Sequence, residues 1–197
     1  MITLGITGSV GMGKSTLSRL LEEMGCPVHD SDQAVHEALS PKGRAFEEVA
    51  VTFPDAWDKK THRIDRATLG ALVFNDPEKR AMLESIVHPA VWASQDEFRL
   101  KHTRLGTRCI AFDIPLLFET GADAKVDYTI VASAPYPIQR RRVLSRTGMT
   151  EEKFQAILAA QMPDRDKRQR ADFVVETGLG LAHSRKILAD ILREVTG

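Results

Sequence analysis

The amino-acid sequence predicts an α/β fold built on a doubly wound parallel sheet of about five strands, with helices on both faces. The first observation is a recurrence of short β-branched and apolar runs, typical of buried strands, at 2–7, 27–30, 109–114, 128–132 and 173–175. The second is that segments with apolar residues at helical spacing separate these runs. Because strands that alternate with helices pair in parallel, the order of the segments predicts a parallel sheet.

The predicted elements divide the chain into three parts. A helix carrying Leu17, Leu20 and Leu21 follows the first strand and ends at Gly25. Residues 36–104 hold no convincing strand; helices are predicted near 34–39, 44–53, 66–74 and 77–87, with a further one beginning at Pro89. Later helices are predicted at 138–146, 150–161 and 181–195. We therefore expect a core of residues 1–35, 105–136 and 171–197, a helical insertion of residues 36–104 and a helical lid of residues 137–170.

Composition excludes several classes of protein. With 43% hydrophobic and 27% charged residues, the 197-residue chain has the composition of a globular domain and not of a disordered or fibrous one. Its 27 basic residues balance 27 acidic ones, so neither nucleic acid nor a membrane is an expected partner. Cys26 and Cys109 form no CxxC pair, and we expect both to be buried packing residues. Without a signal peptide or an apolar span, the chain is expected to be cytoplasmic; its oligomeric state stays open, a monomer being compatible.

Residues 8–15, with the sequence GSVGMGKS, match the phosphate-binding pattern G-x-x-x-x-G-K-[ST], known as the P-loop. A predicted strand precedes the pattern and a predicted helix follows it, as the pattern requires. Its glycines let successive backbone N–H groups point at one anion, and the helix N-terminus adds its dipole. Lys14 is expected to contact the β- and γ-phosphates of a nucleotide, and Ser15 to supply an oxygen to magnesium. The loop therefore predicts a bound nucleotide with Mg²⁺.

Three classes of P-loop protein compete at this point. A regulatory GTPase usually carries an Asn-Lys-x-Asp segment, but the chain has Asn75 as its single asparagine. A motor ATPase usually carries an apolar strand ending in Asp-Glu, whereas Asp113 is followed by isoleucine and proline. A small-molecule kinase is therefore favoured. A nucleoside or nucleotide kinase with another acceptor and a nucleotide-dependent switch module stay open as alternatives.

A kinase needs a group that takes the proton of the attacking hydroxyl. Asp30-Ser31-Asp32 follows the second predicted strand, whose carboxyl end should open at the same edge of the sheet as the P-loop. Asp32 is our candidate base. The alternative is that Asp30 or Asp32 caps the following helix, and Asp30 is more simply interpreted as a cap or a distant magnesium contact.

A kinase also needs positive charge over the transferred phosphate. Residues 138–170 carry nine basic residues against four acidic ones. Arg142 and Arg146 are four residues apart and are expected to share a helix face that contacts ATP, while Arg140 and Arg141 are expected to be solvated. An RNA-binding patch is weakly supported, because Phe154 is the single aromatic residue there. His88 either precedes a helix that begins at Pro89 or binds an anionic substrate. Its position in the sequence does not decide between these two interpretations.

Several segments together resemble the dephospho-CoA kinase family over nearly the whole chain. In order they are residues 5–16 (GITGSVGMGKST), 30–32 (DSD), 64–66 (IDR), 83–89 (LESIVHP), 113–119 (DIPLLFE), 158–161 (LAAQ) and 171–175 (ADFVV), with the arginine pair 142 and 146. The P-loop alone is unspecific. The IVHP and PLLFE segments, combined with residues 158–161 and 171–175, are highly specific for this family.

The resemblance implies transfer of the γ-phosphate of ATP, with Mg²⁺, to the 3′-hydroxyl of the dephospho-CoA ribose. It places the base on Asp32 and a lid arginine on Arg142, with Lys14 as the third catalytic residue. The implied ATP-binding residues are Gly8, Gly11, Met12, Gly13, Lys14, Ser15, Thr16, Arg142 and Arg146. The implied acceptor-binding residues are Thr7, Asp32, Arg66, His88 and Leu117. Two positions depart from the family, which often has arginine at His36 and asparagine at Thr177.

Overall fold

The computed structural model describes residues 1–74 and 76–197, so Asn75 lies outside the described residues. The chain forms two compact units, one of Met1–His29 with His102–Gly197 and the other of Asp30–Lys101. Residues 30–35, which the sequence assigned to the core, fall in the second unit, and residues 102–104 fall in the first. Residues 137–170 also belong to the first unit, so their role as a lid stays a prediction.

The elements are named in chain order. They are β1 (Ile2–Thr7), α1 (Lys14–Glu23), β2 (Val28–Asp30), α2 (Ser31–Ala38), α3 (Phe46–Thr52), β3 (Trp57–Asp58), β4 (Arg63–Ile64), α4 (Arg66–Phe74), α5 (Pro77–Arg104), β5 (Cys109–Asp113), β6 (Tyr128–Ser133), α6 (Tyr136–Leu144), α7 (Glu151–Ala159), α8 (Asp164–Arg170), β7 (Phe173–Glu176) and α9 (Leu181–Thr196).

The larger sheet has the strand order β2-β5-β1-β6-β7. Strand β1 pairs in parallel with β5 and with β6, and β6 pairs in parallel with β7. Every residue of β5 is buried, and only the first residue of β1 is not, which explains why these strands are continuous apolar runs in the sequence. The predicted five-stranded parallel sheet of an α/β fold is confirmed.

Helices α1 and α9 form the core of the first unit with the sheet. Leu17, Leu20 and Leu21 of α1 are completely buried and pack in one cluster with Leu4 of β1 and Leu188 of α9. Burial of such a side chain contributes about 1.5–3 kcal/mol. The apolar face of α1 therefore fixes the helix on the sheet, and its first residue, Lys14, is fixed with it.

Helix α6 ends at Leu144, two residues before Arg146. The prediction that Arg142 and Arg146 share a face of one helix is therefore wrong; Arg146 lies in the turn that follows, where its N–H donates to Val143 O at 3.1 Å. Thr150 caps α7 by accepting from the N–H of Lys153 at 3.3 Å. Helix α8 was not predicted as a separate element.

The second unit has its own apolar cluster, in which Phe46, Val49, Leu69 and Val87 are buried. Strands β3 and β4 form a short hairpin, with Trp57 opposite Ile64, so the expectation of no strand in this region is wrong at four residues.

Helix α5 corrects a second prediction for the insertion. Pro89 lies in the interior of this 28-residue helix and does not begin a new one. A proline costs a helix one N–H bond and a clash with the preceding turn, which the rest of a long helix can offset. His88 is therefore also inside a helix and not between two.

None of the helices in the described part of the chain is both long and apolar enough to cross a membrane.

Candidate active site

The backbone of residues 8–13 forms a turn between β1 and α1 that only glycines allow at two points. Gly11 and Gly13 have φ angles of 76° and 89°, in the left-handed region that other residues rarely adopt. A Cβ on Gly13 would also lie 3.0 Å from the Thr177 hydroxyl oxygen. Gly13 is the N-cap of α1, so the free N–H groups of the helix begin at the loop. The geometry is that of an anion-binding loop.

Two glutamines outside the loop hold its tip. The Gln139 side-chain amide of α6 donates to Val10 O at 2.9 Å, and the N–H of Val10 donates to Gln161 Oε1 at 3.1 Å. Both backbone groups of Val10 are thus satisfied by side chains more than 120 residues away in sequence. The segment between β6 and β7 therefore fixes the conformation of the P-loop.

Thr177, after β7, connects the loop to Arg142. Its hydroxyl donates to Met12 O at 2.6 Å and accepts from Arg142 Nη1 at 2.9 Å. Arg142 Nη2 also donates to the Thr177 carbonyl at 2.9 Å, and Nη1 lies 3.5 Å from Gly11 O. Three atoms therefore hold the guanidinium of Arg142 beside the loop: the hydroxyl and carbonyl oxygens of Thr177 and the carbonyl oxygen of Gly11. Met12 itself is buried, and its sulfur accepts from the N–H of Ala134.

Lys14 forms an ion pair with Asp113, the last residue of β5. The Ser18 hydroxyl, one turn further along α1, donates to the other oxygen of Asp113 at 2.6 Å. The Asp113 side chain is 8% exposed and that of Lys14 is 19% exposed. A phosphate in the loop would compete with Asp113 for the ammonium group of Lys14.

The donor set beside Lys14 suits magnesium. In the described part of the chain, no group of three or more His, Cys, Asp or Glu side chains forms a metal cluster. Magnesium in phosphate-transfer sites needs only one or two protein oxygens, because phosphates and water complete its octahedron. The hydroxyl of Ser15, which is exposed at the start of α1, and the carboxylate of Asp113 provide oxygens of this kind. Thr16 continues the helix, with its N–H bonded to Gly13 O at 3.0 Å.

Lys167 of α8 is buried and paired with Glu119. Its ammonium lies 2.9 Å from Glu119 Oε1 and donates to Pro115 O at 3.2 Å. Burial raises the pKa of Glu119, but bonds from Lys167 and from the N–H of Met162 outweigh it, and the net pKa is lowered. Thr7 donates to the same Pro115 carbonyl at 2.9 Å. These groups, with Lys167 among them, hold the segment 115–119 in place.

Several other basic side chains of residues 138–170 are also paired with acidic ones. Arg140 bonds Glu151, Arg165 bonds Asp166, Arg168 bonds Glu176 and Arg170 bonds Asp123. Arg146 has no ion pair within the residues that the structure describes, and its side chain is exposed. Leu117, an expected acceptor contact, is completely buried, and its contact with a ligand stays a prediction.

The second unit contains Asp30, the last residue of β2, and Asp32. Asp30 is the N-cap of α2, where its carboxylate accepts from the N–H of Gln33 at 3.0 Å. Asp32 lies in the first turn of the same helix with an exposed side chain and is not the cap. The capping interpretation therefore applies to Asp30 and not to Asp32.

A cavity of about 400 Å³ lies between α2 and the start of α4. Three basic side chains, His36, Arg63 and Arg66, line it together with Gln33, Glu37 and Ser40. Asp65 caps α4 beside it by accepting from the N–H groups of Ala67 and Thr68. The positive lining suits an anionic ligand. His88 lies in α5, where its ring packs 5.8 Å from that of Trp92.

Comparison with known proteins decides the family. The family model for dephospho-CoA kinase matches residues 2–182. The chain is 48% identical to the dephospho-CoA kinase of Mesorhizobium japonicum over 197 residues, which covers all of this chain and 98% of that protein. It is 45% identical to the dephospho-CoA kinase of Novosphingobium aromaticivorans over 98% of this chain and 94% of that protein.

The chain belongs to the dephospho-CoA kinase family. It is therefore a kinase, and the alternative of a nucleotide-dependent switch module is set aside. A solved structure from Thermus thermophilus aligns with a TM-score of 0.86 and 38% identity over all of this chain and 98% of the other. Shikimate kinase from Bacteroides thetaiotaomicron aligns with a TM-score of 0.54 at 12% identity, over 98% of each chain, and shares the fold alone.

Within this dephospho-CoA kinase family member, sequence reasoning missed the partners of the site residues. Asp113 was considered only as a strand-end carboxylate, yet it binds Lys14 across 99 positions of sequence. Thr177 was noted as a departure from the family, yet it is the residue that joins Arg142 to the loop. The sequence signals for Asp113 are an apolar strand that ends in aspartate and the segment 113–119 of the family resemblance.

Proposed function

We propose that this protein transfers the γ-phosphate of ATP to the 3′-hydroxyl of the dephospho-CoA ribose, the last step of CoA biosynthesis. One observation carries the proposal: a P-loop with Lys14 at a helix N-terminus, in a chain that matches dephospho-CoA kinases over nearly its whole length. The residue assignments below are part of the proposal.

On the donor side, the N–H groups of residues 11–15 bind the ATP phosphates and Lys14 turns from Asp113 to the β- and γ-phosphates. Arg142, held beside the loop by Thr177, adds a second positive charge that stabilises the transferring phosphoryl group. Ser15 and Asp113 would hold Mg²⁺, which neutralises charge on the phosphate oxygens.

On the acceptor side, the cavity lined by His36, Arg63 and Arg66 binds the diphosphate of dephospho-CoA. Arginine is suited to this role because its planar fork binds phosphate oxygens in pairs. His36 stands where the family often has arginine, and a ring N–H of histidine can also donate to a phosphate oxygen.

Asp32 accepts the proton of the ribose hydroxyl as the new P–O bond forms. Its carboxylate is exposed and is not the cap of α2, so a bound substrate can reach it, as a general base requires. Thr7 and His88 stay candidate acceptor contacts; in the structure Thr7 binds Pro115 O.

The test is release of ADP from Mg-ATP with a panel of acceptors: dephospho-CoA, adenosine, AMP and none. Phosphorylation of dephospho-CoA alone, with CoA identified as the product, is expected. Preferential turnover of adenosine or AMP would replace the proposal by a nucleoside or nucleotide kinase. Slow release that no acceptor accelerates would refute transfer to a small molecule.

A variant separates the acceptor cavity from the donor site. Arg66→Met should raise the KM for dephospho-CoA by roughly 10-fold or more, since one charge-assisted bond contributes about 1.5–3 kcal/mol. The KM for ATP should stay unchanged. Lys79→Met is the matched control, because Lys79 is exposed and paired with Asp76. An unchanged KM for dephospho-CoA in Arg66→Met would contradict the proposal that this cavity binds the diphosphate.

A further inference from the structure

Cys26 and Cys109 lie side by side in the core of the first unit. Their sulfur atoms are 3.6 Å apart, and the residues are 2% and 5% exposed. Cys26 follows Gly25 just after α1, and Cys109 is the first residue of β5. The fold brings them together across 83 positions of sequence, and the phosphate-transfer site uses neither.

Main-chain hydrogen bonds hold both cysteines in place. The N–H of Cys26 donates to Leu21 O at 2.9 Å, and the adjoining Pro27 carbonyl accepts from the N–H of Ala111 at 2.9 Å. Cys109 pairs in register with Ile2 of β1. The two sulfurs therefore stay neighbours as long as the sheet is formed, which gives them the high effective concentration of an intramolecular reaction.

The two thiols are chemically unequal. The Cys26 thiol donates to the Cys109 sulfur, which lowers the pKa of Cys109 against the opposing effects of burial and of the Asp127 carboxylate. The same bond, together with burial, raises the pKa of Cys26. Since the thiolate is the reactive form of cysteine, the lowered pKa makes Cys109 the candidate nucleophile of the pair, and Cys26 the thiol that would then form the disulfide with it.

We propose that Cys26 and Cys109 form an oxidation site, which a peroxide converts to an intramolecular disulfide. The Cys109 thiolate attacks one peroxide oxygen; the O–O bond breaks, hydroxide leaves when the oxidant is hydrogen peroxide, and Cys109 becomes a sulfenic acid. The Cys26 thiol then attacks the sulfenic sulfur; an S–S bond forms, the S–O bond breaks, and water leaves with the thiol proton. Two thiols are oxidised by two electrons, and the peroxide is reduced by the same two.

Burial selects the class of oxidant. Residues exposed by 2% and 5% leave no room for a bulky disulfide at the folded pair, so the oxidant has to be a small molecule such as hydrogen peroxide, admitted by local opening of the core. The sulfurs must approach from 3.6 Å to about 2.05 Å, which rotation of both side chains with a small backbone shift can provide. The new bond would enclose residues 27–108, so it constrains a long segment of the unfolded chain.

The first experiment treats the full-length protein with hydrogen peroxide at low protein concentration and then unfolds it in the presence of an alkylating agent. We expect loss of both alkylation sites, an intact mass lower by two hydrogen atoms, and a Cys26–Cys109 peptide that dithiothreitol separates. The Tm should rise by several degrees, on the order of 5–10 °C. Two alkylated cysteines after treatment, or a disulfide found only between two chains, would overturn the proposal.

A pair of variants tests the order of events. In Cys26→Ser, no neighbouring thiol can attack the sulfenic acid of Cys109, so this acid should persist and be labelled by dimedone. In Cys109→Ser, Cys26 should take up at least 10-fold less dimedone. Equal labelling of the two, or stronger labelling of Cys26, contradicts the assignment of Cys109 as the nucleophile. Both variants should keep the kinase activity of the untreated protein, which establishes that they are folded.

Discussion

Asp30 and Asp32 are two residues apart, and the structure gives them different surroundings. Asp30 caps α2 through the N–H of Gln33, whereas Asp32 is exposed in the first turn. Asp32→Asn should lower kcat by about 10²–10⁴-fold, the usual contribution of a general base, because an amide cannot accept the proton. Asp30→Asn is the matched control: asparagine is an equally good cap, so kcat should change little. Steady-state kinetics with saturating dephospho-CoA measures both, and ATP affinity by calorimetry should be unchanged. A kcat of Asp32→Asn within a few-fold of wild type would move the base to another residue.

Thr177 contributes one hydroxyl to two interactions, as donor to Met12 O and as acceptor from Arg142. Thr177→Val keeps the shape but leaves the Met12 carbonyl without this donor, so the free energy of unfolding should fall by about 1–3 kcal/mol. The affinity for ATP should fall as well, since Arg142 loses a bond that positions it. Thr177→Ser should restore both, because it keeps the hydroxyl. Urea unfolding and ATP titration provide the measurements; a serine variant as impaired as the valine variant would mean that the methyl group, and not the hydroxyl, matters.

Among the elements, the strands were predictable and some helices were not. Strands β1, β5 and β6 are buried over nearly their whole length, so each appears in the sequence as an apolar run. The sequence pattern predicted two helices in place of α5, because proline at the first turn of a helix is far more common than proline inside one. The β3–β4 hairpin was missed because strands of two residues are too short to show an alternating pattern.

Helix α6 carries Arg141 and Arg142 in adjacent positions, with different surroundings. Arg142 is half-buried and bonded to Thr177, whereas Arg141 is exposed, as expected for residues about 100° apart on a helix. Arg142→Ala should reduce kcat by roughly 10²–10³-fold, the effect of removing one group that stabilises transition-state charge. Arg141→Ala should leave kcat within a few-fold of wild type. Equal effects on kcat in the two variants would contradict the assignment of Arg142 to the phosphates.

Over the whole molecule, some features of the candidate site follow from a local sequence pattern, and others from contacts between residues that are distant in sequence. The P-loop was predictable because eight consecutive residues specify it. The contacts of Lys14 with Asp113, of Thr177 with Met12 and of Gln161 with Val10 join positions 99 to 165 residues apart, and no periodicity in the sequence encodes such pairs. They arise when the sheet brings the carboxyl ends of its parallel strands to one edge.

Stability of the whole protein should respond to pH through two carboxylates whose pKa values shift in opposite directions. The pKa of Glu119 is lowered: burial opposes this, but the bonds from Lys167 and the N–H of Met162 outweigh it. A lowered pKa in the folded state stabilises the protein above the ordinary glutamate value of 4.5, and this contribution is lost as the pH falls through the folded value. The pKa of Asp164 is raised, first by burial, despite the Ser133 hydroxyl that donates to it at 2.8 Å. A raised pKa has the reverse effect: its contribution is present below the ordinary aspartate value of 3.8 and is lost as the pH rises through the folded value.

Glu119→Gln and Asp164→Asn should therefore change stability at pH 7 in opposite directions. The glutamine can still accept from Lys167, but it leaves the completely buried ammonium without a counter-charge, and the free energy of unfolding should fall by about 1–3 kcal/mol. The difference from wild type should shrink as the pH falls from 4.5 toward the lowered folded-state pKa of Glu119, because the glutamate of the unfolded chain takes up its proton first. Asp164→Asn keeps an oxygen for Ser133 and removes a charge that burial disfavours, so it should stabilise the protein at pH 7 and lose that advantage toward pH 3.8. Urea unfolding of both variants and wild type at a series of pH values measures these differences. A Glu119→Gln variant as stable as wild type at pH 7 would show that the Glu119–Lys167 pair contributes nothing beyond its shape, and a destabilised Asp164→Asn variant would show that the aspartate is needed there as an anion.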